Sequence, residues 1–212
     1  MSCRASQQFS VQSILQNLPR NIAISALDPT FLVRPATHAD IPALRKLIDC
    51  SVRVLQRADY SPQQLEAALG TIYGVDSQLI ADGTYYAIET KLSQDQKIVV
   101  ACGGWSFRRT LFGSDQGPNR DSELLDPARD AAKIRAFFVH PDWVRRGIAT
   151  LILKTCEDAG YARGFRRFEM GATLTGVPMY AARGYQEEEK LEAPLPNGLT
   201  LTVVRMSKTI AP

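Results

Sequence analysis

The sequence predicts a mixed α/β domain in which helices cover both faces of one sheet. The main observation is the order of local patterns along the chain, which reads β-α-α-β-β-β-α-β-α-β-β. Such an order is typical of one sheet covered by helices. The length of 212 residues and the hydrophobic content of 45% fit one globular domain with an extension. We therefore expect an N-terminal extension at residues 1–30 and a domain at residues 31–208.

Capping residues and apolar spacing locate the predicted helices. Thr37 or Asp40 caps a first helix whose apolar residues recur on one face. Ser61, Pro62 and Gln64 form a capping box at the start of a second. The helices are predicted at residues 41–55, 62–69, 146–163 and 178–183, and the strands at residues 31–34, 85–90, 97–107, 132–139, 165–172, 185–189 and 199–206.

Two connections have distinct compositions. The second and third strands are separated only by a short polar segment at residues 93–96, which predicts a hairpin. Residues 113–130 combine Gly, Pro and Asn with five acids and show little periodicity. An exposed loop is therefore predicted there.

Composition excludes several classes of partner. The chain has 25 Lys and Arg against 22 Asp and Glu, an excess too small to indicate nucleic-acid binding. The basic residues Arg163, Arg166 and Arg167 form a run too short to indicate a nucleic-acid-binding surface. No stretch approaches the 18 or more apolar residues of a membrane span. We expect neither a nucleic acid nor a membrane as partner.

The cysteines and histidines give no sign of a structural site. The four cysteines lie far apart without Cys-x-x-Cys spacing, and the chain has two histidines. This pattern favours neither a zinc site nor a disulfide framework. We expect no metal, reduced thiols and a cytoplasmic location.

The first 27 residues contain no acid. This composition is shared by organelle transit peptides, and no apolar core of a secretory signal is present. A plain extension, flexible or with one short amphipathic helix, is the alternative. Both interpretations remain open at this point.

Residues 139–150 predict an anion-binding loop. A strand ends, a short loop with Arg145, Arg146 and Gly147 follows, and an amphipathic helix begins at once. The free N–H groups of a first helical turn attract anions, and glycine lets a phosphate approach the backbone. Because such short matches often mark only a solvated helix start, the surrounding sequence decides the interpretation.

Two segments in order resemble the GNAT superfamily of N-acetyltransferases. Residues 144–149, Val-Arg-Arg-Gly-Ile-Ala, resemble the family's Gln/Arg-x-x-Gly-x-Gly/Ala signature, with Val144 as a departure. Residues 179–185, Met-Tyr-Ala-Ala-Arg-Gly-Tyr, resemble its Phe/Leu-Tyr-x-x-x-Gly-Phe segment. Thr173 stands where many members have Asn. The resemblance implies the GNAT fold, with a mixed, mostly antiparallel sheet, splayed central strands and helices on both faces.

The resemblance also implies acetyl-CoA as cosubstrate. Its pyrophosphate would bind backbone amides at the helix start, and its pantetheine would pair with the end of the preceding strand. The residues implied to bind it are Phe138, Val139, Arg145, Arg146, Gly147, Ile148, Ala149 and Thr150. Tyr180 is implied as the acid that protonates the departing thiolate, because a phenol stays protonated at neutral pH. Core packing of Tyr180 is the alternative.

The general base is open. A bound amine can lose its proton through water, so no fixed base is required. His140 follows the strand in a turn that favours a solvent-facing structural role. Glu89 and Glu169, on predicted strands, are further candidates.

The acceptor pocket is equally open. Trp105 either lines that pocket or packs in the core. The two charge patterns near it oppose each other. Arginines that favour an acidic acceptor are Arg108, Arg109 and Arg135, and acids that favour a cationic one are Asp121 and Glu123.

The implied function is direct transfer of an acetyl group from acetyl-CoA to a primary amine of a small molecule or protein. The alternative is a non-catalytic acyl-CoA-binding or sensing module of the same fold, which would not need Tyr180. The sequence leaves the acceptor and the oligomeric state open, a homodimer included.

Overall fold

The computed structural model describes residues 31–93, 96–118 and 120–210. The predicted extension at residues 1–30 lies outside them. In chain order the elements are β1 Leu32–Pro35, α1 Ile41–Leu55, α2 Pro62–Ala68, α3 Ser77–Ala81, β2 Tyr85–Lys91, β3 Lys97–Ser106, β4 Ala132–Val139, α4 Ile148–Ala162, β5 Arg167–Thr173, α5 Val177–Ala181, β6 Gln186–Pro194 and β7 Thr200–Thr209. Short 3₁₀ turns at His38–Asp40 and Pro141–Trp143 precede α1 and follow β4.

The strands form one sheet in the order β1-β2-β3-β4-β5-β7-β6. Neighbours pair antiparallel except β4 and β5, which run parallel. The predicted mixed, mostly antiparallel sheet is therefore confirmed. The single parallel pair is joined through α4, the long crossover that a parallel connection needs.

Two apolar clusters lie on opposite faces of the sheet. Ala87 packs in the cluster that contains α1, α2 and α3, whereas its neighbour Ile88 packs in the cluster that contains α4. Successive strand residues point to opposite faces, so the two clusters belong to different faces. We call the α1 to α3 side the front face and the α4 side the back face. The predicted coverage of both faces is confirmed.

The start of α2 forms as its sequence predicts. Ser61 Oγ accepts a hydrogen bond from the Gln64 N–H at 3.3 Å, and Gln64 Oε1 accepts one from the Ser61 N–H at 3.0 Å. Before α1, both the N–H and the hydroxyl of Thr37 donate to the Asp40 carboxylate. These local contacts fix where the two front helices begin.

Three predicted details are wrong. Strand β6 extends from Gln186 to Pro194 rather than ending at residue 189, because an exposed edge strand keeps few apolar residues to mark it. Helix α3 was not predicted because its five residues are too few to show a period. The loop at residues 113–130 is not uniformly exposed, since Ser114 and Leu125 are buried.

That loop is held against the front helices by its backbone. The Ser114 N–H donates to Thr71 O at 2.8 Å, and the Asp115 N–H donates to Val75 O at 3.2 Å. Arg120 forms an ion pair with the buried Asp76 at 3.1 Å. The loop therefore forms part of the wall on the front side of the sheet.

Within the described part of the chain, no helix is long and apolar enough to cross a membrane.

Candidate functional site

The central parallel pair separates after two residue pairs. Ala132 lies opposite Phe168 and Lys133 opposite Glu169, and no later residue of β4 pairs with β5 in the part of the chain that the structure describes. The two strands therefore splay apart toward their C-terminal ends. Their facing backbone edges are left without strand partners, although backbone N–H and C=O groups require them.

A β-bulge reshapes β4 where it leaves β5. Cys102 lies opposite Phe138 and Gly104 opposite Arg135, so Ala136 and Phe137 share one position of β3. Ala136 has a φ of 57°, a left-handed conformation that is uncommon for alanine. Such bulges re-aim the backbone and often lie beside functional sites.

Gly103 makes room for this bulge. A Cβ at residue 103 would lie 2.7 Å from Ile152 Cγ2 and 2.7 Å from the Phe137 ring. Only glycine allows β3, β4 and α4 to approach this closely without a shift. The bulge is thus fixed by packing against the back helix.

A cleft of about 230 Å³ occupies the space between the splayed strands. Its sides come from residues 134–139 of β4 and 170–173 of β5. Its front wall includes Ser51 and Leu55 of α1 and Gln56 directly after that helix. At the other end it reaches Ala149 in the first turn of α4. One continuous space therefore joins the start of α4 to the front face.

The start of α4 carries the predicted anion-binding loop. Arg145 has a φ of 64° and Gly147 a φ of 78°. Left-handed residues in a turn can direct backbone N–H groups toward one side and so provide an anion-binding concavity. The first turn of this 15-residue helix contains no acidic residue to compete for those N–H groups. Ile148 contributes only its backbone there, because its side chain is buried in the back cluster.

Two arginines flank this loop. The Arg146 guanidinium lies 4.5 Å from the centre of the Trp143 ring, which itself packs edge-on against Phe31. Arg183 Nη2 donates to Thr150 Oγ1 at 3.0 Å. Arg183 was not predicted as a site residue, although it lies inside the segment that carries Tyr180.

Tyr180 lies on α5 and lines the cleft. Its side chain is buried, and its ring contacts the Phe137 and Tyr185 rings edge-on at about 6 Å between centres. Burial, together with the neighbouring Cys156 thiol, raises the pKa of Tyr180 above its ordinary value. The phenol is therefore protonated at neutral pH, as a proton donor must be.

The candidate bases do not line the cleft. Glu89 pairs with Arg34 at 2.7 Å, and Glu169 is held by Arg205 at 2.6 Å and by Lys133. His140 Nδ1 accepts from the Asp142 N–H at 3.2 Å, and His140 Nε2 lies 4.0 Å from Cys50 Sγ. Glu169 lies on β5 where that strand still pairs with β4, and none of the three residues lines the cleft beyond that point.

Of the residues named for the acceptor, Arg135 alone lines the cleft. Arg108 pairs with Asp82 at 2.7 Å, and Arg109 pairs with Glu123 at 2.8 Å. Asp121 lies 3.5 Å from Arg109. Trp105 is buried among the back-face residues, so it packs in the core. Of the charged residues that the sequence offered for binding the acceptor, only the buried Arg135 therefore lies at the cleft.

Sequence reasoning missed Gln56 and Tyr73. Both are buried, both line the cleft, and each has a side-chain polar atom without a hydrogen-bond partner among the described residues. No motif marks them, because they reach the cleft from different elements of the front face. Thr173 also lines the cleft, where its hydroxyl accepts from the Gly176 N–H at 3.2 Å.

Comparison with protein families finds one match. Residues 125–209 match the model of the acetyltransferase (GNAT) domain. This segment contains β4 to β7, the anion-binding loop and Tyr180. No curated protein matches the chain in sequence.

Solved structures share the fold over most of the chain. A GCN5-related N-acetyltransferase from Rhodopseudomonas palustris is 23% identical, with a TM-score of 0.60 over 84% of this chain and 95% of that one. The PaiA N-acetyltransferase of Thermoplasma acidophilum, in complex with coenzyme A, is 10% identical, with a TM-score of 0.57 over 85% and 99%. A GNAT-family acetyltransferase from Listeria monocytogenes is 19% identical, with a TM-score of 0.56 over 85% and 95%. At these identities the likeness is one of fold.

Proposed function

We propose that this chain, which carries a GNAT acetyltransferase domain at residues 125–209 on the GNAT fold, is an acetyl-CoA-dependent N-acetyltransferase. It transfers the acetyl group directly to a primary amine of a small molecule or a protein. We assign this activity to residues 31–208, with residues 1–30 as an extension.

The observation that carries the proposal is the splay of β4 and β5 beside the start of α4. The free N–H groups at a helix N-terminus can bind a diphosphate, and the first turn of α4 offers such groups without a competing acidic side chain. The pantetheine arm of acetyl-CoA contains amide groups, which can pair with the free edges of the two strands. The cleft joins these two places, so one extended molecule can occupy both.

In the proposed reaction, Arg145 to Thr150 hold the diphosphate through their backbone, and Phe138 and Val139 hold the pantetheine. The acceptor nitrogen attacks the thioester carbon, and a backbone N–H near Val139 donates to the carbonyl oxygen. The C–S bond then breaks, and the thiolate takes a proton from Tyr180. The amine loses its proton to water, which fits a cleft that the candidate bases do not line. Water then returns a proton to the Tyr180 phenolate, so the enzyme ends in its starting state.

Tyr180 suits this role because the apolar surroundings shift the pKa of its phenol and that of the CoA thiol in the same direction. The apolar environment that raises the pKa of the phenol also raises the pKa of a thiol bound beside it. The two groups therefore remain comparable in acidity. Proton transfer between them stays efficient when their pKa values are close.

The test is a Tyr180→Phe variant assayed for thiol release with acetyl-CoA and a panel of amines. We expect kcat to fall about 100-fold, with little change in KM for acetyl-CoA, because the ring and its packing remain. Tyr161→Phe is the matched control, since the Tyr161 ring packs against Arg166 outside the cleft. Its kcat should equal that of the unmodified protein.

Full activity in Tyr180→Phe would remove Tyr180 from the mechanism. Thermal stabilisation by CoA without any transfer to an amine would instead favour the binding or sensing module. A lack of stabilisation at saturating CoA would contradict both functions.

A further inference from the structure

Three buried side chains that line the cleft have a polar atom without a hydrogen-bond partner among the described residues. These atoms are Gln56 Oε1, Tyr73 OH and Arg135 Nε. Buried polar groups are normally paired, and an unpaired one costs free energy comparable to a lost hydrogen bond. Three of them around one cleft are groups with which a molecule bound in the cleft can pair.

Arg135 is held rigidly in this wall. Its Nη2 lies 2.7 Å from Asp76 Oδ2 and donates to Gly113 O at 2.6 Å. Asp76 is fully buried and also pairs with Arg120. Both contacts are made by Nη2 and fix the guanidinium, whereas the Nε–H has no partner among the described residues.

Tyr73 and Gln56 add two further polar groups. Tyr73 is 3% exposed, and its ring packs edge-on against Phe138 at 6.2 Å between centres. Its hydroxyl lies near that of Tyr60, which already donates to Thr202 O and accepts from the Leu174 N–H. The Tyr73 hydroxyl can therefore donate to an oxygen of a bound molecule. The amide of Gln56 can turn either its oxygen or its nitrogen toward a ligand.

The same wall offers no counter-ion for a second positive charge. Among the described residues that line the cleft, none is Asp or Glu. The carboxylate of Asp59 does not itself line the cleft, although its Oδ2 accepts from the hydroxyl of the lining residue Thr175 at 2.5 Å. Asp76 is already shared by two arginines. A desolvated ammonium without a paired anion is costly.

Apolar side chains make up much of the rest of the front wall. The residues concerned are Leu55, Ile72, Leu111, Phe112 and Val203. Phe112 covers the place where β5 has Gly171, since a Cβ at residue 171 would lie 2.7 Å from its ring. The front side of the cleft therefore suits a hydrocarbon skeleton, whereas the strand edges behind it offer backbone groups to the pantetheine.

We infer that the acceptor is a monoamine on an apolar skeleton that carries an oxygen acceptor group, such as a carboxylate, remote from its amine. The Nε–H of Arg135 and the hydroxyl of Tyr73 donate to that oxygen group. A second ammonium is rejected. This inference names the substrate class of the cleft and rests on the proposed function.

Three six-carbon amines of matched length test the inference on the full chain. They are hexylamine, 6-aminohexanoate and 1,6-diaminohexane. We expect kcat/KM for 6-aminohexanoate to exceed that for hexylamine about tenfold, the gain of a charge-assisted hydrogen bond. We expect 1,6-diaminohexane to fall below hexylamine.

Two variants link that preference to the wall. Arg135→Lys keeps a positive charge beside Asp76 but removes the Nε–H, and Tyr73→Phe removes only a hydroxyl. Each should bring the ratio of 6-aminohexanoate to hexylamine toward one. Arg108→Lys is the matched control, because Arg108 also pairs with an aspartate but lies outside the cleft. It should keep the original ratio.

The inference is overturned if 1,6-diaminohexane is the best of the three substrates, or if both Arg135→Lys and Tyr73→Phe keep the original ratio. It is also overturned if the enzyme binds CoA and acetylates other amines but none of these three. Failure to bind CoA would be a different result, since it would contradict the proposed function itself.

Discussion

Gly147 adopts a backbone conformation that other residues rarely take. Its φ is 78°, and a Cβ there would meet no atom within 4 Å. The need for glycine is therefore conformational and not steric. Because the residue caps α4, a change of φ there alters the direction of the N–H groups that we propose to bind diphosphate.

We expect Gly147→Ala to raise KM for acetyl-CoA several-fold and to lower the free energy of unfolding by about 1 kcal/mol. Gly198 gives a matched control, since its φ is 80° and its surroundings are equally open. Gly198→Ala should cost the same stability but leave KM unchanged. Steady-state kinetics and denaturant unfolding of the two variants make the comparison. Equal KM values would contradict a role for residue 147 in cofactor binding.

At this scale, residues in a local motif could be predicted and residues assembled by the fold could not. Tyr180 and Gly147 lie in short segments whose spacing is visible in the sequence. Gln56 follows α1, Tyr73 follows α2, and Arg135 lies on β4. No local pattern links three residues whose proximity depends on tertiary packing.

Helix α4 begins without an acidic residue in its first turn, which is a cost to the free protein. An acid there would interact favourably with the helix dipole. Its absence leaves the N–H groups open to an anionic ligand. Helix stability and ligand binding therefore make opposite demands on the same turn.

Ala149→Asp should separate these demands. We expect it to stabilise the ligand-free protein by about 0.5 kcal/mol and to abolish the thermal shift that CoA produces. The carboxylate would occupy the N–H groups and repel the diphosphate.

Gln63→Asp is the matched control, because Gln63 is exposed and also holds the second position of a helix whose first turn lacks an acid. It should give a similar gain in stability and an unchanged response to CoA. If Ala149→Asp still responds fully to CoA, the start of α4 does not bind the diphosphate.

Elements with strong local signals could be predicted from the sequence, and those shaped by their environment could not. The capping box of α2 and the apolar run of β4 are local, and both appear where expected. The second half of β6 has only Leu191 and Ala193 as apolar residues besides its terminal proline, and pairing with β7 holds it in the sheet. The bulge at Ala136 has no sequence signal, since it arises from register with β3.

Ion pairs connect the first strand of the molecule to the segment before α1 and to the second strand. Arg34 on β1 bonds both Asp40, before α1, and Glu89 on β2 at 2.7 Å. Its guanidinium holds the pKa of Asp40 below the usual range. A carboxylate with a lowered pKa stabilises the fold fully above about pH 4, its ordinary pKa. That contribution is lost as the pH falls through the lowered value.

We therefore expect Arg34→Met to reduce the free energy of unfolding by about 1 to 2 kcal/mol at pH 7. The difference from the unmodified protein should shrink as the pH falls below 4. Urea unfolding at a series of pH values measures it.

Arg53→Met is the control, because the pairs of Arg53 with Asp49 and Glu66 lie on the exposed surface. Surface pairs contribute little, so its stability should not change. A difference for Arg34→Met that is constant from pH 7 to pH 2 would show that packing of the arginine stem, and not the ion pair, is what matters.

The separation of β4 from β5 has a mechanical consequence. The seven-stranded sheet consists of two half-sheets. One contains β1 to β4 and the other contains β5 to β7, and only two residue pairs between β4 and β5 connect them. A ligand whose amides pair with the free edges of both β4 and β5 would lie between them like an eighth strand. It would add hydrogen bonds that connect the two half-sheets. The force needed to pull the two halves of the sheet apart should therefore be greatest when that ligand is bound.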